Sequence, residues 1–144
     1  MTARRIDQDM ASTAASLLPG EVTKELRTRY RQLRVMLHTA GLAATYAFVA
    51  SKANANADGD SGLGASLPAA YRLVAKGIRE RLAVLGMLTT DPAATTHAEV
   101  FTALGNADAA SYARASADVA ALAGWLSRLA DATYRPPSTR GSSG

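Results

Sequence analysis

At 144 residues the chain has the length of one domain, and it contains no cysteine, which excludes disulfides, thiolate zinc sites and cysteine nucleophiles. The formal net charge is +4, and thirteen of the sixteen basic residues are arginine, whose planar fork matches phosphate geometry. Hydrophobic residues make up 48%, but many are alanines that favour helix and bury little area each, so stability is expected to rest on Leu33, Phe48, Tyr71, Ile78, Phe101, Tyr112 and Trp125.

In chain order, a first helix is predicted over residues 5–18, with Met10, Ala14, Leu17 and Leu18 as its apolar side and Pro19-Gly20 ending it. The second starts near Glu21 and carries two parallel stripes. Lys24, Arg27, Arg31, Arg34 and His38 recur every three or four residues, and Leu26, Tyr30, Leu33 and Leu37 run beside them. One face of this helix can dock on a core while the other meets nucleic acid or an acidic partner. Gly41 offers a break before a third helix over 42–53, with Ala47, Phe48 and Val49 inside. Residues 54–66 hold few large side chains and read as a flexible surface loop.

Leu67 and Pro68 open the next predicted helix, which aligns Tyr71, Val74, Ile78, Leu82 and Leu85, with Arg72, Lys76 and Arg79 as a second basic stripe. Asp91-Pro92 has the form of a helix start, Asp capping and Pro in the first turn. That helix runs to about Leu104, and Gly105-Asn106 punctuates. The last spans about 107–134 with Tyr112, Val119, Leu122, Trp125, Leu126 and Leu129, and Pro136-Pro137 stops it. No stretch alternates with strand periodicity. The expectation is an all-α compact bundle of five to six helices: a single domain over 1–137 with a flexible loop at 54–66, and a disordered tail at 138–144.

No motif calls for catalysis or a cofactor. A di-iron bundle needs Glu-x-x-His pairs, and neither His38 nor His97 has a glutamate at that spacing; His97 and Glu99 are two apart and point to different helix faces. No Gly-x-Ser-x-Gly elbow occurs. Gly59, Gly62 and Gly64 lack the Gly-Lys-Ser/Thr ending of a phosphate loop. The run 40–50 is too short and interrupted for a membrane span, and acidic residues follow Arg4 and Arg5 where a signal peptide needs its apolar segment. A soluble, cytoplasmic protein is expected. A helix-turn-helix reader would place base-reading side chains after its turn, whereas here the basic helix precedes Gly41 and the apolar segment follows it. Phosphate contact therefore fits better than base readout.

Two stretches carry a likeness. Residues 30–52 read YRQLRVMLHTAGLAATYAFVASK, a helix, a Gly-Leu junction and an apolar segment ending in Ser-Lys. Residues 112–130 read YARASADVAALAGWLSRLA, ending in Trp-Leu-x-Arg-Leu-Ala. With Gln8 and the small-residue helix after it, this order resembles the small helical subunit of type III-B CRISPR-Cas effector complexes, the Cmr type. The resemblance implies a non-catalytic subunit that stacks with neighbouring copies of itself beside the backbone subunits and supports guide RNA and target RNA pairing. It implies phosphate contacts at Arg27, Arg31, Arg34, Lys52 and Arg128. Lys24, Arg72, Lys76 and Arg79 complete the candidate nucleic-acid-binding set from the two stripes. The alternative is a small dimeric helical DNA-binding regulator.

Overall fold

The computed structural model describes residues 2–18, 22–54 and 63–134. Six helices are found among them: α1 (Thr2–Leu17), α2 (Lys24–Ala40), α3 (Leu42–Ala53), α4 (Leu63–Val84), α5 (His97–Asn106) and α6 (Ala109–Thr133). The fold is all-α, as the periodicity predicts. Most of the expected 54–66 loop, the Pro19-Gly20 and Pro136-Pro137 stops and the 138–144 tail lie outside the described residues.

Local chemistry fixes the ends. Thr23 accepts a hydrogen bond from the Leu26 N–H at 3.0 Å, so α2 starts at Lys24 rather than near Glu21. Gly41, at φ 96°, turns the chain between α2 and α3. Having no side chain, it cannot cap α3. The Tyr112 hydroxyl from α6 instead accepts from the Ala43 N–H at 3.0 Å.

Two further predicted starts are corrected. α4 begins at Leu63, four residues before the predicted opening, and contains Pro68. Asp91-Pro92 does not open α5. Asp91 closes a turn, its carboxylate accepting from the Ala93 N–H and its carbonyl from the Ala94 N–H. The helix starts at His97 under a reciprocal Thr96/Glu99 capping box. That box satisfies two end donors at once, and it lies where the apolar spacing of Val100 and Leu104 begins.

The core gathers the predicted apolar faces. Met10, Ala14 and Leu17 of α1, Leu26, Tyr30 and Leu33 of α2, Tyr71, Val74, Ile78 and Leu82 of α4, and Val119, Leu122 and Leu126 of α6 are all buried. Two expectations fail: Phe101 is 38% exposed, and Ala47 faces solvent while Leu42, Tyr46 and Val49 take the inner face of α3. Buried alanines at 14, 75, 115, 123 and 130 let helix axes approach. Gly77 does so most closely: a Cβ there would collide with the Leu17 side chain, so this glycine seats α1 against α4.

The helices form two associations, α2 and α1 on α6, and α3 on α4, with α4 also meeting α1 and α6. α2 and α6 run antiparallel. Arg27 near the start of α2 meets Asp131 and Tyr134 at the end of α6, whereas the last turns of α2 face Ser116, Ala117 and Ala120. α4 is bolted to α6 by Arg81 and Asp118, a bidentate pair at 2.6 and 2.9 Å with both side chains under 15% exposed. The bonds to Asp118 raise the Arg81 pKa above its ordinary value.

Candidate nucleic-acid interface

The α2 stripe follows from the helical repeat, since residues three and four apart stack on one side. Its apolar neighbour stripe buries against α6 and turns the cations to the seam between the two helices. There α6 presents small residues, Ser116, Ala117 and Ala120, and the long side chains of α2 stand beside them. The result is an open groove of about 760 Å³ walled by Arg31, Arg34, Val35, Leu37 and His38. Val35 is 61% exposed at its edge.

Further along α6 the small residue is Gly124. The Arg34 Nε and an Arg128 guanidinium nitrogen each lie 3.9 Å from the point where a Gly124 Cβ would sit. Two cations from different helices thus converge over the buried Gly124 backbone. Among the described residues neither has a carboxylate within salt-bridge distance. Arg128 also leans over the half-buried Trp125 ring, 5.5 Å from its centroid. Like charges held together without acids favour an anion between them, and a planar guanidinium pairs with phosphate bidentately.

The other candidates have different surroundings. Arg27 Nε lies 3.6 Å from Asp131, and its guanidinium covers the Tyr134 ring at 4.4 Å. Arg31 bonds the same Asp131 oxygen at 3.0 Å. Lys24 is exposed at the start of α2. Lys52 is exposed at the end of α3, over the Phe48 ring.

The second stripe bonds to neighbouring elements or pairs locally. Arg72 donates to the Ala53 carbonyl at the end of α3, at 3.1 Å. Lys76 sits 3.6 Å from Glu80, one turn on. Arg79 donates to the Pro92 carbonyl and to the Tyr46 hydroxyl, both at 3.2 Å. Arg72 and Arg79 therefore serve α3 and the 85–96 loop, while the α2 stripe borders α6. The structure does not bring the two stripes into one field.

Beneath Arg79 lies a polar relay. Because Arg79 can only donate, the Tyr46 oxygen accepts from it and passes its own proton toward His97 Nδ1, 2.6 Å away. Burial, and then the Arg79 charge, lower the His97 pKa, consistent with a neutral ring that accepts at Nδ1.

Sequence reasoning identified the cations but missed Ser116, Ala117, Ala120, Gly124 and Asp131. The small residues at 117, 120 and 124 recur at helical spacing, a signal that one face of α6 lacks side-chain bulk. Asp131 stands three residues after Arg128, but its partners come from another helix.

In comparison with known proteins, the family model described as CRISPR-associated protein (Cas_Cmr5) matches residues 3–133. No curated protein and no solved structure matches the chain.

Proposed function

The chain belongs to the Cas_Cmr5 family of CRISPR-associated proteins, and from that membership we propose that it is a non-catalytic small subunit of a type III-B RNA-guided interference complex. In this reading copies stack along the backbone subunits in the cytoplasm, and the α2–α6 groove lies against the phosphates of the guide–target RNA. No helix among the described residues is long and apolar enough to cross a membrane. Base pairing between the RNA strands supplies sequence discrimination, so the subunit needs phosphate contacts rather than base readout.

The observation that carries the reading is the convergence of Arg34 and Arg128 over Gly124, beside a groove that Arg34 lines together with Arg31 and His38. Small side chains beside the cations let a sugar-phosphate chain approach the helix backbone, and the arginines supply charge without a base-specific surface. Arg27 adds to the field from behind Asp131, and Lys24 and Lys52 extend it at helix ends.

The test is a mild-salt pull-down of the tagged chain from its native host, with proteins and nucleic acids identified together. Recovery of repeated backbone subunits with short guide RNAs is the expected result. Recovery of duplex DNA, or of protein without RNA, would overturn it in favour of a DNA-binding regulator or an adaptor.

A further inference from the structure

We infer that Asp131 is an internal competitor for the nucleic-acid backbone: its carboxylate holds Arg31 when no strand lies in the groove and gives it up when a phosphate arrives. The inference rests on the phosphate-binding reading above and adds to it a built-in restraint on affinity.

One oxygen, Asp131 Oδ1, serves two guanidiniums, Arg31 Nη2 at 3.0 Å and Arg27 Nε at 3.6 Å. The two arginines are held differently. The Arg27 side chain is 27% exposed and lies over the Tyr134 ring, with its Nε shut off from solvent. Moving it would uncover that ring. Arg31 is 53% exposed, Asp131 is 44% exposed, and Arg31 also lines the groove. An ion pair this open is screened by solvent and holds its partners weakly, so a phosphate that can engage the arginine fork can replace it.

No other acid is placed to do this among the described residues that form salt bridges. Asp118 is locked to Arg81 between α4 and α6, Glu25 is paired with Arg29, and Glu80 with Lys76. Asp131 therefore stands in for a phosphate at the end of the groove nearest the α6 C-terminus. Arg34 and Arg128 form the part that is always available, and Arg31 the part released on binding.

The test measures fluorescence anisotropy of a labelled single-stranded RNA of mixed sequence over a salt series. It uses the full chain as wild type, Asp131→Asn, Arg31→Gln, Asp131→Asn with Arg31→Gln, and Arg34→Glu with Arg128→Glu. Asp131→Asn should tighten binding by roughly 3- to 10-fold and steepen the salt slope by up to about 0.7, the value for one added contact to a single strand. Arg31→Gln should cancel most of that gain, because the double-mutant cycle isolates the coupling between the two side chains. If Asp131→Asn tightens binding equally with and without Arg31, the carboxylate acts only by general repulsion and the competitor role is overturned. If Asp131→Asn changes nothing while Arg34→Glu with Arg128→Glu abolishes binding, the competitor role again fails and the phosphate reading stands. No binding by any variant at the lowest salt would overturn both.

Discussion

Tyr30 carries a phenol into the core at 2% exposure, and its hydroxyl finds no hydrogen-bond partner among the described residues. Burial, reinforced by the neighbouring Tyr71, pushes its pKa well above the usual tyrosine range. The ring earns its place by area, while an unpartnered buried hydroxyl costs about 1–3 kcal/mol. Tyr30→Phe should therefore raise stability by about 1 kcal/mol, read as a higher urea midpoint at unchanged slope. A lower midpoint would mean that the hydroxyl holds a buried water. The same sequence-level regularity hides contrasting fates for the arginines. Arg31, Arg34 and Arg79 each recur at helical spacing in an equally basic stripe, yet Arg34 faces open groove, Arg31 meets Asp131, and Arg79 bridges α3 and a loop. Spacing along one helix tells which cations share a face. Which of them meets a carboxylate or carbonyl depends on a second element tens of residues away, and no local pattern encodes that.

At the scale of elements, α5 is held in part by the Arg79–Tyr46–His97 relay. The charged group facing the imidazole is Arg79 from α4; α3 contributes Tyr46. Within α5 Glu99 is committed to the Thr96 N–H, and in the loop Asp91 is committed to the Ala93 N–H. The fold lowers the His97 pKa from 6.5, so below that value the unfolded chain binds more protons than the folded one. The stabilisation is complete above pH 6.5 and is lost as pH falls through the folded-state pKa. Amide protection factors, taken relative to the intrinsic exchange rate at each pH, should fall in α5 on acidification more than in α2, and His97→Asn should remove that difference. An equal fall in both helices would overturn the relay's role in holding α5. The α4–α6 bolt makes a sharper prediction. Asp118→Ala strands a largely buried Arg81 and should cost about 3–5 kcal/mol in urea unfolding, whereas removing both charges with Arg81→Met and Asp118→Leu should recover most of it. These long-range links were illegible in the sequence, unlike the helices themselves, whose 3.6-residue apolar spacing sets their number and inner faces. Helix starts were only partly legible. Asp91-Pro92 and Thr96-x-x-Glu99 both carry cap chemistry, and tertiary burial of Val100 and Leu104 favours the second.

For the molecule as a whole, a formal charge of +4 is too small to define a partner, and at physiological ionic strength charges more than about 8 Å apart are largely screened. Affinity for a polyanion must then come from cations held close together, which the antiparallel packing of α2 and α6 achieves by setting Arg34 beside Arg128. Two double reversals separate placement from net charge. Arg34→Glu with Arg128→Glu and Lys52→Glu with Lys76→Glu both bring the formal charge from +4 to zero. The first removes the converging pair. The second alters one exposed lysine at the end of α3 and one already beside Glu80. If binding followed bulk charge, the two variants would lose affinity alike. With the groove as the contact surface, the first should weaken RNA binding by at least about 10-fold more than the second and flatten the salt slope by about 1.4, the release expected for two phosphate contacts to a single strand. Helical circular dichroism should be unchanged in both, because the reversed side chains are exposed. Equal losses at every salt concentration would assign binding to diffuse charge and leave the groove without a role.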